Sequence, residues 1–214
     1  MNVLITGTSR GIGLAIAQKF LSEGHAVWGV DLCPAALKHP AYTHVRGDIR
    51  DVTVAVPDLA VLINNAGTLA EEDALDVNLT GTMAFTERHM ASPSLKSVLF
   101  VASASWRNGA EFPRYVASKA GLIGYMKNLA LNIAPRGVTV NSVSPGGVIT
   151  PANDHILHSP ALYDAVKNET LLGKWATAEE VADLVYFLTV VNRSVTGEDV
   201  LMDNGEMLKS NFIW

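Results

Sequence analysis

Residues 2–24, NVLITGTSRGIGLAIAQKFLSEG, decide the architecture: a short apolar run, glycines at Gly7, Gly11 and Gly13, then apolar residues at helical spacing that stop at Gly24. Glycine is a poor helix and strand former, so three within seven positions need a cause. A tight turn between a buried strand and a helix supplies one, because amide groups and the positive end of the helix dipole then face an approaching anion such as a pyrophosphate. The stretch reads as strand, turn, helix, with a nucleotide as its ligand and a plain tight turn as the alternative.

The same alternation continues along the chain. HAVWGVD (25–31) and YTHVRGD (42–48) are strands that end in acids, and LAVLINNAG (59–67) and SVLFVAS (97–103) are continuous apolar runs of the kind found in parallel strands covered on both faces. VTVNSVSP (138–145) and EDVLMD (198–203) bring the strands to seven, with helices expected at about 71–91, 113–134 and 177–191. This order predicts one α/β domain over residues 1–214: a Rossmann-type, doubly wound, seven-stranded parallel sheet with helices on both faces.

Composition narrows the function. At 214 residues, with 49% hydrophobic and 17% charged, the chain has enough material for one sizeable core. A net charge of -5 argues against a nucleic-acid partner, whose phosphates select basic surfaces. The single cysteine, Cys33, forms neither an internal disulfide nor a thiolate cluster, and its usual role is packing. No apolar run approaches the ~20 residues that cross a bilayer, so a cytoplasmic protein without a membrane partner is expected.

TGTSRGIG (6–13), NNAG (64–67), YVASK (115–119) and SPGGVITP (144–151), in that order, give the chain its kinship: it resembles the classical short-chain dehydrogenase/reductase family over nearly its whole length. The chemistry of hydride exchange between a nicotinamide and a carbinol carbon explains what such residues do. A proton must move on or off the oxygen, which requires an acid/base beside the ring. Tyr115 can supply it, provided that something positive favours the phenolate over a phenol that titrates near ~10. Lys119 lies four residues later on the same helical face.

By resemblance, Lys119 also holds the nicotinamide ribose, and Tyr115 adjoins the cofactor. Ser103, twelve residues before Tyr115, would hydrogen-bond the substrate oxygen, with Ser105 as its rival in VASASW. Asn78 in DVNLTG matches the family's helical asparagine, which helps to hold a water linking the lysine to solvent; capping or bending its own helix is the other reading. The catalytic set is therefore Asn78, Ser103, Tyr115 and Lys119.

The cofactor would lie on Gly7, Ser9, Arg10, Gly11, Ile12 and Gly13 of the turn. Asp31, at the end of the second strand, can accept hydrogen bonds from the adenosine ribose and repel a 2'-phosphate, which favours NAD; Arg10 points towards NADP as the alternative. Asp48 and Ile49 resemble the family's adenine-contacting pair, although an acid at a strand end is often simply solvated. Asn65, Ala66 and Gly67 end the fourth strand beside the cleft, where Asn64 and Asn65 can instead tie neighbouring strands together. Pro145, Gly146 and Val148 leave the sixth strand, and Thr150 is a candidate for the nicotinamide carboxamide.

Two departures from the family pattern stand out. Only thirteen positions separate Asn65 from Asn78, about half the family's interval, and the segment between the third and fourth strands is short, so helices are missing there. Residues 151–175 read as a mobile lid in which Leu157, Tyr163 and Trp175 exclude water from the substrate. His155 and His158 lack the further Cys/His ligands that a metal site would need, so no metal is assigned. Phe212, Ile213 and Trp214 are costly to leave in water and are expected to pack on a neighbouring subunit of a homodimer or homotetramer.

These expectations converge on an NAD(H)-linked oxidoreductase that interconverts a secondary alcohol and a carbonyl. Two readings compete with it: a nucleotide-sensing regulator of weak turnover on the same fold, and a nucleotide-binding methyltransferase, which leaves Tyr115 and Lys119 unexplained.

Overall fold

The apolar runs at 2–6, 59–64 and 97–101 become strands with almost every residue buried, as central positions in a sheet covered on both faces require. The computed structural model describes residues 1–110 and 112–209. Its main sheet contains β1 (Asn2–Thr6), β2 (Ala26–Asp31), β3 (Tyr42–Arg46), β4 (Leu59–Asn64), β5 (Ser97–Val101) and β6 (Thr139–Pro145). A two-residue pair, β7 (Val148–Ile149) with β8 (Ala176–Thr177), stands apart, and β9 (Asp199–Met202) completes the seven. All pairings are parallel, in the order β3-β2-β1-β4-β5-β6-β9. The chain builds outward from β1 in one direction and then from β4 in the other, so a crevice opens at the carboxyl ends of β1 and β4.

Each face of the sheet has its own core. On one, Val3, Ile5, Val61 and Ile63 meet α1 (Gly11–Ser22) and α7 (Ala178–Tyr186). On the other, Leu4, Leu62, Val98 and Phe100 meet α2 (Thr82–His89) and α4 (Pro113–Ile133). Between these helices in sequence lies the four-residue α3 (Ser105–Asn108); the segment 151–175 contains α5 (Asp154–Leu157) and α6 (Pro160–Asn168). Fully buried Phe20, Phe85 and Phe100 anchor the two layers, each worth roughly 1.5–3 kcal/mol of burial.

The helix expected over 71–91 is shorter and interrupted: a π turn at Asp76–Gly81 precedes α2. Likewise, the helix expected to reach 191 ends at Tyr186 and runs on as a π turn, Phe187–Val191. Periodicity reports which residues face inward, and a π turn inside a helix changes that little. No helix occupies 32–41 or 47–58, so the expected pruning between β3 and β4 is present and extends to the β2–β3 connection. The tail residues Phe212, Ile213 and Trp214 lie outside the described residues. Among the described residues no helix is long and apolar enough to cross a membrane.

Candidate active site

The glycine turn is built by contact as much as by conformation. A Cβ on Gly13 would sit 1.9 Å from the Gly7 carbonyl oxygen, and Gly11 has φ +54, a backbone angle that L side chains rarely adopt. Arg10, which precedes α1 with extended backbone, provides no side-chain cap, so the first amides of the helix are left towards the cleft. That is the donor set a diphosphate needs.

The cleft, about 740 Å³, runs along the carboxyl ends of the strands. Its lining includes Gly7, Arg10, Gly11, Ile12 and Gly13 on the turn, Asp31 after β2, and Asp48 and Ile49 after β3. Asn65, Ala66 and Gly67 follow β4, and Ser103 follows β5. Tyr115 and Lys119 enter from α4, and Pro145, Gly146, Val148 and Thr150 close the far end. Of the expected cofactor and catalytic residues, two are not on this surface. The Ser9 amide and hydroxyl turn instead to the Asp31 carboxylate and the Pro34 carbonyl, both at 2.9 Å, and Asn78 is buried behind the wall. A second cavity of about 290 Å³, lined by Asn108, Asn168 and Lys209 among others, holds none of the expected residues.

Lys119 and Tyr115 share one face of α4, with the Lys119 Nζ 5.6 Å from the Tyr115 ring centroid. The ammonium is buried and donates to the Val101 carbonyl at 3.0 Å. Burial alone lowers its pKa from 10.5 to about 8, because an ion loses hydration there. The Ser103 Oγ accepts both the Ser105 hydroxyl, at 2.9 Å, and the Ser105 amide, at 3.2 Å. Accepting both, Ser103 keeps its own hydrogen to donate elsewhere, while Ser105 is buried behind it; Ser103 is the serine on the cleft.

Asn78 binds the Thr68 backbone from both ends of its amide, Oδ1 accepting at 2.7 Å and Nδ2 donating at 2.9 Å, and also donates to Ser118 Oγ at 3.1 Å. The Ser118 hydroxyl in turn donates to the Tyr115 carbonyl at 2.7 Å. Asn65 does tie strands together, its Nδ2 reaching the Thr6 and Gly7 carbonyls at 2.9 and 3.1 Å, and it lines the cleft as well.

At the end of the cleft beside β2 and β3, both Asp31 oxygens are held by backbone amides, of Ser9 and of Cys33, each at 2.9 Å. Arg50 grips Asp48 with Nε and Nη2 and holds its carboxyl below the usual range. The Asp48 side chain is thus occupied by its neighbour. Sequence reasoning missed a relay here: Thr8 Oγ1 to Tyr42 Oη at 2.9 Å, Tyr42 Oη to His44 Nδ1 at 3.0 Å, and His44 Nε2 to the Cys33 carbonyl at 3.0 Å. Its imprint is legible at Gly29, whose missing Cβ would lie 2.3 Å from the Tyr42 hydroxyl.

Also missed was Asp199 on β9, which accepts the Ser142 and Ser144 hydroxyls at 2.7 Å and pins Trp106 and Arg107 of α3. Of the residues expected to exclude water from the substrate, Leu157, Tyr163 and Trp175 do not line this cleft; Trp175 is buried against Gly147 with Tyr163 edge-on to it, because a large indole fills the space that a glycine leaves. Among the described residues no group of three His, Cys, Asp or Glu is arranged to hold a metal ion.

A family model described as enoyl-(acyl carrier protein) reductase matches residues 7–206. A solved oxidoreductase of the short-chain dehydrogenase/reductase family from Burkholderia thailandensis superposes with a TM-score of 0.88 at 29% identity, covering 98% of this chain and 93% of that one. The chain belongs to the short-chain dehydrogenase/reductase family. Among curated relatives, the short-chain reductase protein NovJ of Streptomyces niveus is 31% identical over 94% of this chain and 92% of its own length. The 3-oxoacyl-(acyl-carrier-protein) reductase FabG of Aquifex aeolicus is 29% identical, covering 94% of this chain and 95% of its own. This short-chain dehydrogenase/reductase is an NAD(P)-dependent oxidoreductase. The residues of its cleft fit such a cofactor: a helix end without a side-chain cap, as a diphosphate needs, and a fixed carboxylate after β2 that can accept hydrogen bonds from a ribose.

Proposed function

We propose that this short-chain dehydrogenase/reductase interconverts a secondary alcohol and its carbonyl with NAD(H), Tyr115 acting as the acid/base. The observation that carries the reading is the meeting, in one cleft with the glycine turn, of the Tyr115 ring, the buried Lys119 ammonium 5.6 Å from its centroid, and Ser103. When bound, the dinucleotide supplies the carbon that gives or takes hydride.

The protein's part is to move the proton and stabilise charge. In the direction of oxidation, the Tyr115 oxygen accepts the carbinol proton as hydride leaves the carbon, and Lys119 favours the phenolate that can accept it. With water excluded around Nζ, that attraction is stronger than at a surface. Ser103, accepting two hydrogen bonds from Ser105, donates to the substrate oxygen where charge develops. Asn78 holds Thr68 and, through Ser118, the Tyr115 carbonyl, which keeps the wall beside the phenol in place. In reduction the same groups run in reverse.

NAD is favoured over NADP by Asp31, whose carboxylate is fixed by two amides where a 2'-phosphate would have to sit. Arg10 and Arg50 also line that end, but Arg50 is occupied by Asp48. A homodimer or homotetramer is supported by Leu131 of α4, left 77% exposed, and by Leu75, left 39% exposed. A cytoplasmic setting is supported by the exposed free thiol of Cys33.

The test is to incubate the protein with a panel of secondary alcohols and ketones and either cofactor, following the absorbance of the reduced nicotinamide. Turnover at least about tenfold more efficient with NAD(H) than NADP(H) is expected, since misplacing a like charge costs on the order of 1.4 kcal/mol or more. A preference for NADPH contradicts the role of Asp31.

A further inference from the structure

The segment from Asn65 to Leu75, between β4 and the π turn at Asp76, is where the chain is shorter than its family pattern, and it does not hang loose. Its middle is fastened to Asn78 by the two Thr68 hydrogen bonds, and the Thr68 hydroxyl then accepts the Ala70 amide at 3.0 Å. The next residue, Glu71, crosses to the start of α4. Its Oε2 accepts the Arg114 amide and its Oε1 the Tyr115 amide, each at 3.2 Å.

The first turn of α4 needs such a partner. Phe112, at the N-cap, offers no side-chain cap; Pro113 has no amide hydrogen; and the Val116 amide already bonds the Phe112 carbonyl at 2.9 Å. The amides of Arg114 and Tyr115 remain, and Glu71 takes both. Tyr115 is therefore held at its amide by Glu71 and at its carbonyl by the Ser118 hydroxyl. The strap runs from Asn78 through Thr68 and Ala70 to the backbone of the residue that carries the phenol.

We infer that Glu71 is a positioning residue for the reaction proposed above, fixing the pitch of the first turn of α4 and so the reach of the Tyr115 hydroxyl into the cleft. The inference rests on the reading of Tyr115 as acid/base. Glu71 touches neither the cleft nor Lys119, so its effect passes through the backbone and belongs to turnover and not to cofactor binding.

The experiment compares Glu71→Ala, Glu71→Asp and Glu71→Gln with the parent enzyme. It measures kcat, cofactor Kd and amide hydrogen exchange over the first turn of α4. Glu71→Ala and the shorter Glu71→Asp are expected to lower kcat at least about tenfold, since displacing a reacting group by ~1 Å costs up to about 10²-fold. Cofactor Kd should stay within about twofold, and the Arg114 and Tyr115 amides should exchange faster while the sheet is unchanged. Glu71→Gln keeps one acceptor and turns an NH2 donor towards the second amide, so it should recover kcat only in part, between Glu71→Ala and the parent. Should Glu71→Ala fail to fold, Glu71→Asp carries the same comparison.

Unchanged kcat in both shortened variants overturns the inference, as does unchanged amide exchange or a cofactor affinity lost in step with kcat. Exchange needs no turnover, so it judges the cap separately from the chemistry. A Tyr115→Phe enzyme with full activity would remove the reading on which the inference stands, whatever the cap does.

Discussion

Lys119 is a cation taken almost wholly out of water, and its pKa of about 8 against 10.5 when solvated measures the cost. The sign follows from proton counts: between pH 8 and 10.5 the unfolded chain binds the proton that the native one has released, so stability rises with pH across that window. Below it the full penalty of about 3 kcal/mol applies. Lys119→Met should therefore stabilise the apoprotein at pH 7 by about 1–3 kcal/mol and flatten the alkaline rise, as read from denaturant midpoints, while abolishing turnover. A variant less stable than the parent at pH 7 contradicts this. Tyr115 and Lys119 were legible in the sequence because their partnership is local, four residues apart on one helix. Ser105 behind Ser103, Arg50 on Asp48 and the Thr8–Tyr42–His44 relay were harder to see, because each is set by side-chain direction or by a neighbouring strand.

At the scale of elements, the chain replaces helices with fastened loops. The connection 47–58 carries no helix, and it covers the sheet with Ile49 and Val54, both buried. α2 holds it there: Arg88 Nη2 donates to the Ile49 carbonyl at 2.5 Å, and His89 Nε2 accepts the Val54 amide at 2.9 Å while Nδ1 donates to the Phe85 carbonyl at 2.7 Å. That geometry requires a neutral imidazole, and burial holds its pKa below the ordinary 6.5. As pH falls below 6.5 the unfolded chain gains a proton that the native state resists, so the clamp loses stability on the acid side. Amide exchange at Val54, corrected for intrinsic rate, should quicken from pH 7 to pH 5 ahead of the sheet. Equal protection at both values would show that His89 does not hold the loop. Strands and the long α4 were readable from apolar pattern alone. The π turns at 76–81 and 187–191 were not, since they change the backbone bonding without changing which side is apolar.

For the whole molecule, reversal of strand order between β1 and β4 gathers into one crevice segments that are distant in sequence. The glycine turn, the ends of β2, β4, β5 and β6, and one face of α4 meet there, and the family's four motifs are the chain's contributions to that place. This is why the fold and most of the residues that line the cleft could be read in advance. The seat of Trp175 was not legible, because it is placed by the gap at Gly147 and not by its own neighbours in sequence. The central claim is that the cleft holds a nicotinamide cofactor against the Tyr115 hydroxyl. Its most direct test is kcat of Tyr115→Phe alongside its dissociation constant for NADH. Loss of kcat by at least about 10²-fold, with cofactor affinity within about twofold of the parent, is the predicted result; a phenylalanine enzyme that turns over at the parent rate would contradict it.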